Sequence, residues 1–414
     1  YMGINLGAFL GQLICPIVGD VKDAGGIRDI HAFKWGFLAA AIAMLLGTLV
    51  FYFLKNKYVV SPEGLPIGAK PNKDASNGEI EEQAKFSSKS IGIAAVLFVV
   101  LFFAFRYFLV SEIGFSNFEI GTLVKGIIYP IIYGAGISLA FLIMSSAESK
   151  VERERIWVIY IVSFFIIFFW AAFEQAGSSL TFIASNQTDR HFLFNWEMPA
   201  SMVQIFNGLF VVILAVPFSL MWDKLRAKGK EPVSPMKQAL GLALIALSYF
   251  IIAHNVKDLG NSGLLAIKWL VLLYFIQTMG ELCLSPIGLS LVGKLAPKRF
   301  ASLLYGVFFI SNAAGYALAG SLGAIIPATG DKFEKAEKLG VNLQDVLDKK
   351  VTLTPEQVAL FEKEQLPVEY TSFAGFEIHN LYEFFMVFVV LCGIAAIILA
   401  VLSPRLKKMM NGMT

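Results

Sequence analysis

Cysteine, histidine and charge are all scarce in this chain, and each shortage excludes a class of protein. The chain has three cysteines and four histidines, with no CxxC spacing and no Cys/His cluster, so we expect neither disulfides nor a metal site. Charged residues make up 16% of the chain and the formal net charge is +3. With lysine and arginine spread over short loops, this composition argues against a nucleic-acid partner and against a soluble globular domain.

Apolar length is what the chain has in abundance. Hydrophobic residues make up 57% of it and aromatic residues 14%, and the mean hydropathy is +0.67. The chain therefore reads as an all-α, multi-pass integral membrane protein. The candidate membrane helices lie at about 1–19, 34–55, 90–111, 121–145, 156–185, 199–222, 236–254, 264–293, 300–326 and 379–403.

The short loops predict the orientation of these helices. Lysine and arginine cluster after the second, fourth, sixth, eighth and last spans, and such clusters normally lie on the cytoplasmic side. This places the C-terminus in the cytoplasm and the protein in the inner (plasma) membrane. Residues 57–89 read as a flexible cytoplasmic linker. Residues 327–378 are predicted to lie outside the membrane as an extracytoplasmic insertion, with an additional helical hairpin.

Two carboxylates interrupt the apolar spans. Glu174 and Glu281 each lie near the middle of a long hydrophobic segment, where a charge is costly and is retained only if it faces a cavity or a partner. Acids on two separate spans suggest proton-linked or cation-linked transport. Ser285 follows Glu281 by one helical turn, so both side chains can face the same cavity.

Four sequence motifs occur in order along the chain. They are YMGINLG at residues 1–7, FWAAFEQAGSSL at 169–180, QIFN at 204–207 and GELCLSPIGLS at 280–290. Together they resemble the proton-dependent oligopeptide transporters of the major facilitator superfamily, which have two six-helix halves and, in bacteria, an extra hairpin between them. The resemblance implies that 1–56 holds the last two helices of the N-terminal half, 90–146 the hairpin and 150–414 the C-terminal half. The first four helices would then be absent from this sequence.

The resemblance also implies a function and a set of site residues. We expect a monomeric symporter, embedded in the lipid bilayer, that imports di- and tripeptides with protons by alternating access and needs no cofactor beyond the proton gradient. Glu281 would bind the peptide amino terminus, and Glu174 and Glu281 would take part in proton coupling. Many family members carry Trp where Phe308 stands. The expected substrate-binding residues are Tyr1, Asn5, Trp170, Asn207, Glu281, Ser285 and Phe308.

Other interpretations stay open at this point. The same scaffold could carry nitrate or another small metabolite, although Glu281 favours a substrate with an amine. A non-transporting peptide sensor could use residues 327–378 as its partner surface. An enzyme is disfavoured because no HExxH, GxSxG or Cys/His cluster is present. Asn5 and Asn207 could instead link helices by hydrogen bonds, and Glu174 could be a structural carboxyl group.

Overall fold

A computed structural model describes residues 2–22, 28–61, 64, 84–111, 120–191, 196–260 and 263–413. Tyr1 and most of the predicted linker at 57–89 lie outside the described residues. At the two edges of that linker the structure is helical, because α2 continues to Tyr58 and α3 begins at Ser88.

The described residues contain ten helical segments that are long and apolar enough to cross a membrane, and each corresponds to a predicted span. Short 3₁₀ turns precede or interrupt several of them, and one π-helical turn, Val124–Ile128, joins α4 to α5. The α-helices are α1 (Met2–Gly19), α2 (Phe33–Tyr58), α3 (Ser88–Val110), α4 (Ile120–Leu123), α5 (Tyr129–Ser145), α6 (Lys150–Phe173), α7 (Ser179–Asn186), α8 (Ile205–Ala227), α9 (Ser234–Val256), α10 (Ile267–Leu295), α11 (Ala301–Gly323), α12 (Gly330–Lys338), α13 (Leu343–Leu347), α14 (Pro355–Lys363) and α15 (Leu381–Met409).

Local sequence explains where several of these helices begin. The hydroxyl of Ser87 accepts a hydrogen bond from the amide of Ser90 at the start of α3 (3.0 Å). The side chain of Asn380 accepts one from the amide of Glu383 at the start of α15 (3.0 Å). Such caps satisfy amide groups that the first helical turn leaves without partners.

Small residues set the closest helix contacts. Gly241 of α9 and Gly280 of α10 face each other, and a Cβ atom on Gly241 would lie 2.8 Å from the carbonyl oxygen of Gly280. Helices in a membrane gain stability from such close packing. The crossing holds α9 against α10 next to Glu281. The central core of the molecule is built around α6, α9, α10, α11 and α15.

The insertion at 327–378 differs from the predicted helical hairpin. It contains the three short helices α12, α13 and α14, followed by an antiparallel hairpin of β3 (Thr371–Phe373) and β4 (Phe376–Ile378). Ala374 and Gly375 connect the strands with φ values of 51° and 86°, and two consecutive positive φ angles suit a tight strand connection. The three short helices confirm the prediction that the insertion contains helices, but the β-hairpin that follows them was not predicted.

A second strand pair lies between loops of the membrane bundle. β1 (Thr188–Asp189) pairs in parallel with β2 (Leu265–Ala266). These strands connect the end of α7 to the start of α10. They therefore hold the end of α7 beside the start of α10, the helix that carries Glu281 and Ser285.

Candidate functional site

The span predicted at 156–185 is not one continuous helix. α6 ends at Phe173, a 3₁₀ turn covers Glu174–Gly177, and α7 begins at Ser179. Ser178 leaves helical geometry, with φ −131° and ψ −98°. Glu174 is thus the first residue of a break at membrane depth, and its side chain is half-buried. Broken helices of this kind are tolerated where the freed backbone groups find other partners.

Gln175 supplies those partners. Its side chain is fully buried, and its Nε2 group donates to the carbonyl oxygens of Ala171 and Ala319 (3.0 Å each). Its Oε1 atom accepts a hydrogen bond from the hydroxyl of Ser179 (2.6 Å). One side chain therefore links the end of α6, the start of α7 and the facing helix α11.

Three further hydrogen bonds hold the break in place. The hydroxyl of Thr181 donates to the carbonyl of Ala176 (2.6 Å), and Gln204 Nε2 donates to Thr181 Oγ1 (3.1 Å). From α9, the fully buried Tyr249 donates its hydroxyl to the carbonyl of Ala172 (2.7 Å). Hydrogen bonds from α9, from α11 and from the turn that precedes α8 therefore stabilise the break.

The second carboxylate, Glu281, lies inside α10 and is only 6% exposed. Asn207 of α8 donates from Nδ2 to Glu281 Oε2 (3.0 Å) and to Thr278 Oγ1 (3.1 Å). Thr278 in turn donates its hydroxyl to the carbonyl of Tyr274 (2.7 Å). A carboxylate buried this deeply in a membrane helix is a candidate site for a proton or a cationic ligand.

Gly208 explains how Asn207 reaches this position from a helix that also contacts α1. A Cβ atom on Gly208 would lie 3.1 Å from the backbone of Phe9, so α1 and α8 approach closely at this residue. Asn5 lies one turn before Phe9 and is 8% exposed. The same helix crossing therefore orients both predicted asparagines.

The two carboxylates and an aromatic pair lie in one neighbourhood. Glu174 lies within electrostatic range of Glu281, and both lie within range of the hydroxyl of Tyr316 on α11. Trp170 stacks edge-on against Tyr316 with 5.9 Å between ring centroids. Its indole nitrogen is buried without a hydrogen-bond partner among the described residues. An unpaired donor beside two acids is a place where a polar ligand could bind.

The other predicted site residues are placed less centrally. Ser285 is half-buried in α10, one turn beyond Glu281. Phe308 is 3% exposed, and its ring packs on Gly288, where a Cβ atom would lie 2.9 Å from Phe308 Cζ. Tyr1 lies outside the described residues. Sequence reasoning missed Gln175, Thr278 and Tyr316 as site residues, although Gln175 stands inside a quoted motif.

Polar contacts also join α1 to the segment before α8. Lys22 forms an ion pair with Glu197 (2.6 Å), and Asp20 accepts from the hydroxyl of Ser201 (2.6 Å). Burial favours the neutral form of Asp20, but hydrogen bonds from Arg28 and Ser201 outweigh it and hold its pKa below the ordinary value. A hydrogen bond from Lys22 is the main cause of a lowered pKa at Glu197. These contacts hold two segments together at one end of the bundle.

A comparison with protein families shows which family this chain belongs to. The profile of the POT family matches residues 1–71 and 83–338. The chain therefore belongs to the POT family. The match confirms the resemblance to the proton-dependent oligopeptide transporters and covers every described predicted site residue.

Individual relatives agree with this family. The chain is 29% identical to the peptide transporter YePEPT of Yersinia enterocolitica over 79% of this chain and 60% of that protein. It is 30% identical to a di-/tripeptide transporter of Lactococcus lactis subsp. cremoris over 79% of this chain and 61% of that protein. The chain thus spans about 60% of the length of these curated relatives. These relatives are named as transporters, which agrees with a carrier rather than an enzyme.

Solved structures extend the agreement to the fold. All of this chain superposes on 67% of a crystal structure of a mutant peptide transporter POT bound to alafosfalin, with a TM-score of 0.61 and 26% identity. The POT family member described here has the helical architecture of the major facilitator superfamily. It is a multi-pass membrane protein with ten described membrane spans.

Proposed function

We propose that this POT family member imports di- and tripeptides across the bacterial inner membrane together with protons. The observation that carries the proposal is the buried Glu281, which hydrogen-bonds to Asn207 and lies within electrostatic range of Glu174. Membership of the POT family and relatives named as peptide transporters support the substrate class. Under this proposal the protein works as a monomer and needs no cofactor.

The two carboxylates provide a physical route to coupling. Two negative charges in a poorly hydrated site repel each other, and either a proton or a peptide ammonium group relieves that repulsion. Glu281 would receive the ammonium group, while Asn5, Asn207, Trp170 and Ser285 would offer polar contacts to the rest of the peptide. A proton on Glu174 would then favour the state in which Glu281 holds its ligand.

Contacts at the two ends of the bundle support alternating access and the proposed orientation. Arg299 pairs with Glu148 and with Glu152, the latter at 2.8 Å, and Asn411 donates to Glu154 (2.9 Å). These residues come from the loops predicted to be cytoplasmic, so the contacts are consistent with a cytoplasmic C-terminus. The Lys22–Glu197 pair would close the opposite end and would have to break for a peptide to enter from outside.

Uptake into liposomes containing the complete protein tests this proposal. Labelled dialanine should accumulate only with an inward proton gradient, and Glu281→Gln should reduce both accumulation and gradient-free exchange by about tenfold or more, a loss of roughly 1.4 kcal/mol of binding or barrier. Glu174→Gln should abolish accumulation but keep exchange, because it removes a proton site and not the ammonium partner. Glu356→Gln, in the exposed insertion, is the matched control and should behave like wild type.

Three other results would contradict parts of this proposal. Accumulation by Glu174→Gln at the wild-type rate would refute its role in coupling. Nitrate uptake without peptide uptake would move the substrate to the small-anion class. Binding of dialanine without transport would support the peptide sensor.

A further inference from the structure

A cavity of about 690 Å³ lies between the α3/α5 hairpin and helices α6 and α11. It is separate from Glu174 and Glu281, and its walls come from membrane-spanning segments. Its lining is almost entirely apolar and aromatic. The lining residues that matter below are Phe105, Tyr133, Ile137, Ala140, Trp157 and Phe164.

The α3/α5 hairpin contacts α6 and α11 closely at three points, and the cavity lies where such contacts are lacking. A Cβ atom on Gly136 of α5 would lie 3.0 Å from Ile310, and one on Gly320 of α11 would lie 2.6 Å from the hydroxyl of Tyr129. Towards α6, the hydroxyl of Tyr160 donates to the carbonyl of Ala140 (2.9 Å). Between these contacts the helices diverge and leave the cavity. If nothing filled the cavity, every atom that lines it would lose van der Waals contacts.

The end of the cavity nearest the start of α6 carries a charge. Arg153 lies one turn before the cavity-lining Trp157, on the same face of α6. Its guanidinium group donates to the carbonyl of Ala147 from Nε and Nη2 (3.3 Å each). Among the described residues Arg153 forms no ion pair, whereas the neighbouring Arg299 pairs with Glu148 and Glu152. Arg153 therefore has charge available for an anion.

Trp157 marks the level of this end in the membrane. Its side chain is 50% exposed, and half-exposed tryptophans are typical of the boundary between hydrocarbon and head groups. An arginine one turn beyond such a tryptophan lies at the depth of lipid phosphates. Guanidinium groups bind phosphate through paired hydrogen bonds.

We propose that this cavity binds an anionic phospholipid from the leaflet at the basic end of α6. One acyl chain fills the space between α5, α6 and α11, and the phosphate rests on Arg153. The lipid completes the packing of the α3/α5 hairpin against the rest of the bundle. Nothing in this proposal depends on the transported substrate.

Native mass spectrometry of the complete protein, purified in a nonionic detergent and stripped of lipid, tests the site. Phosphatidylglycerol should bind about tenfold more tightly than phosphatidylcholine to wild type. Ala140→Phe fills the cavity and should remove tight binding of both lipids. The control Ala104→Phe makes the same change on the exposed side of α3 and should bind like wild type.

A second pair of variants tests the head group without altering the cavity. Arg153→Gln should abolish the preference for phosphatidylglycerol and keep the weaker binding of phosphatidylcholine. Arg155→Gln removes the same charge from another face of α6 and should keep the preference. Equal lipid binding by wild type and Ala140→Phe, or an unchanged preference in Arg153→Gln, would overturn the proposal. If Ala140→Phe does not fold, the arginine pair alone decides.

Discussion

The membrane helices around the site and the insertion at 327–378 differ in which side chains they bury. Around the site, Gln175, Thr278 and Glu281 are buried, while large apolar residues such as Val401 on α15 are 74% exposed. In the insertion, which the structure describes throughout, the buried side chains are mainly apolar, Phe361 and Leu366 among them, and Thr329 is the one buried polar side chain. The surrounding solvent explains the difference, because lipid accepts apolar surface and water does not.

A buried polar group therefore has a different meaning in each of the two regions. A buried amide in a water-soluble core is mostly a matter of satisfied hydrogen bonds. In a membrane bundle the same group also marks a break, a cavity or an ion pathway. Gln175 shows the first use, because it satisfies a broken helix, and the buried Glu281 shows the second, because it marks the candidate site.

The largest effect is expected from Phe361→Ala in the insertion. Removing this fully buried ring should destabilise the small core by about 3–5 kcal/mol. Trypsin should then cleave the lysines of the insertion much faster, while the melting temperature of the membrane bundle stays unchanged. Leu360→Ala changes the adjacent, 41% exposed residue and should leave cleavage slow. A joint loss of bundle stability would mean that the two regions do not fold separately.

An intermediate effect is expected from Gln175→Leu at the helix break. The substitution introduces an apolar side chain of similar size and leaves the partners of Gln175 without hydrogen bonds, at about 1–3 kcal/mol for each buried group. The melting temperature of the detergent-purified protein should fall clearly. Gln204→Leu removes only the bond to Thr181 and should cost about 0.5–1.5 kcal/mol. Equal melting temperatures for the two variants would contradict the assigned role of Gln175.

The smallest effect is expected from acid on the insertion. Hydrogen bonds from Lys350 and Tyr370 lower the pKa of Asp348 to about 2. Because the folded-state value is depressed, the stabilisation is complete above the ordinary value of about 3.9 and is lost as the pH falls through about 2. Hydrogen exchange in α13 should therefore rise between pH 5 and pH 3, after correction for intrinsic rates.

Asp348→Asn isolates that contribution. The variant cannot lose a charge at this position, so the rise in α13 exchange between pH 5 and pH 3 should shrink. Lys350→Gln removes the main partner and should reduce the same pH dependence while leaving Asp348 in place. An identical rise in wild type and both variants would show that other acids of the insertion control its response.

Apolar length and periodicity were enough to predict the membrane spans, because a span must be long, hydrophobic and internally hydrogen-bonded. The same reasoning gave 156–185 as one span and did not locate the break at 174–178, since Gly177 alone does not show where the backbone leaves helical geometry. It also missed the β-hairpin at 371–378, whose turn has Ala374 where glycine or asparagine is the usual signal.

The sequence by itself determined the class of this protein, its ten spans and the presence of two acids where hydrocarbon should be. These properties depend on composition and spacing along one chain. Only the tertiary structure decided that Gln175 closes the helix break, that Asn207 reaches Glu281, and that the hairpin leaves an apolar cavity beside Arg153. Those contacts join residues far apart in sequence, and their distances depend on how closely the helices pack.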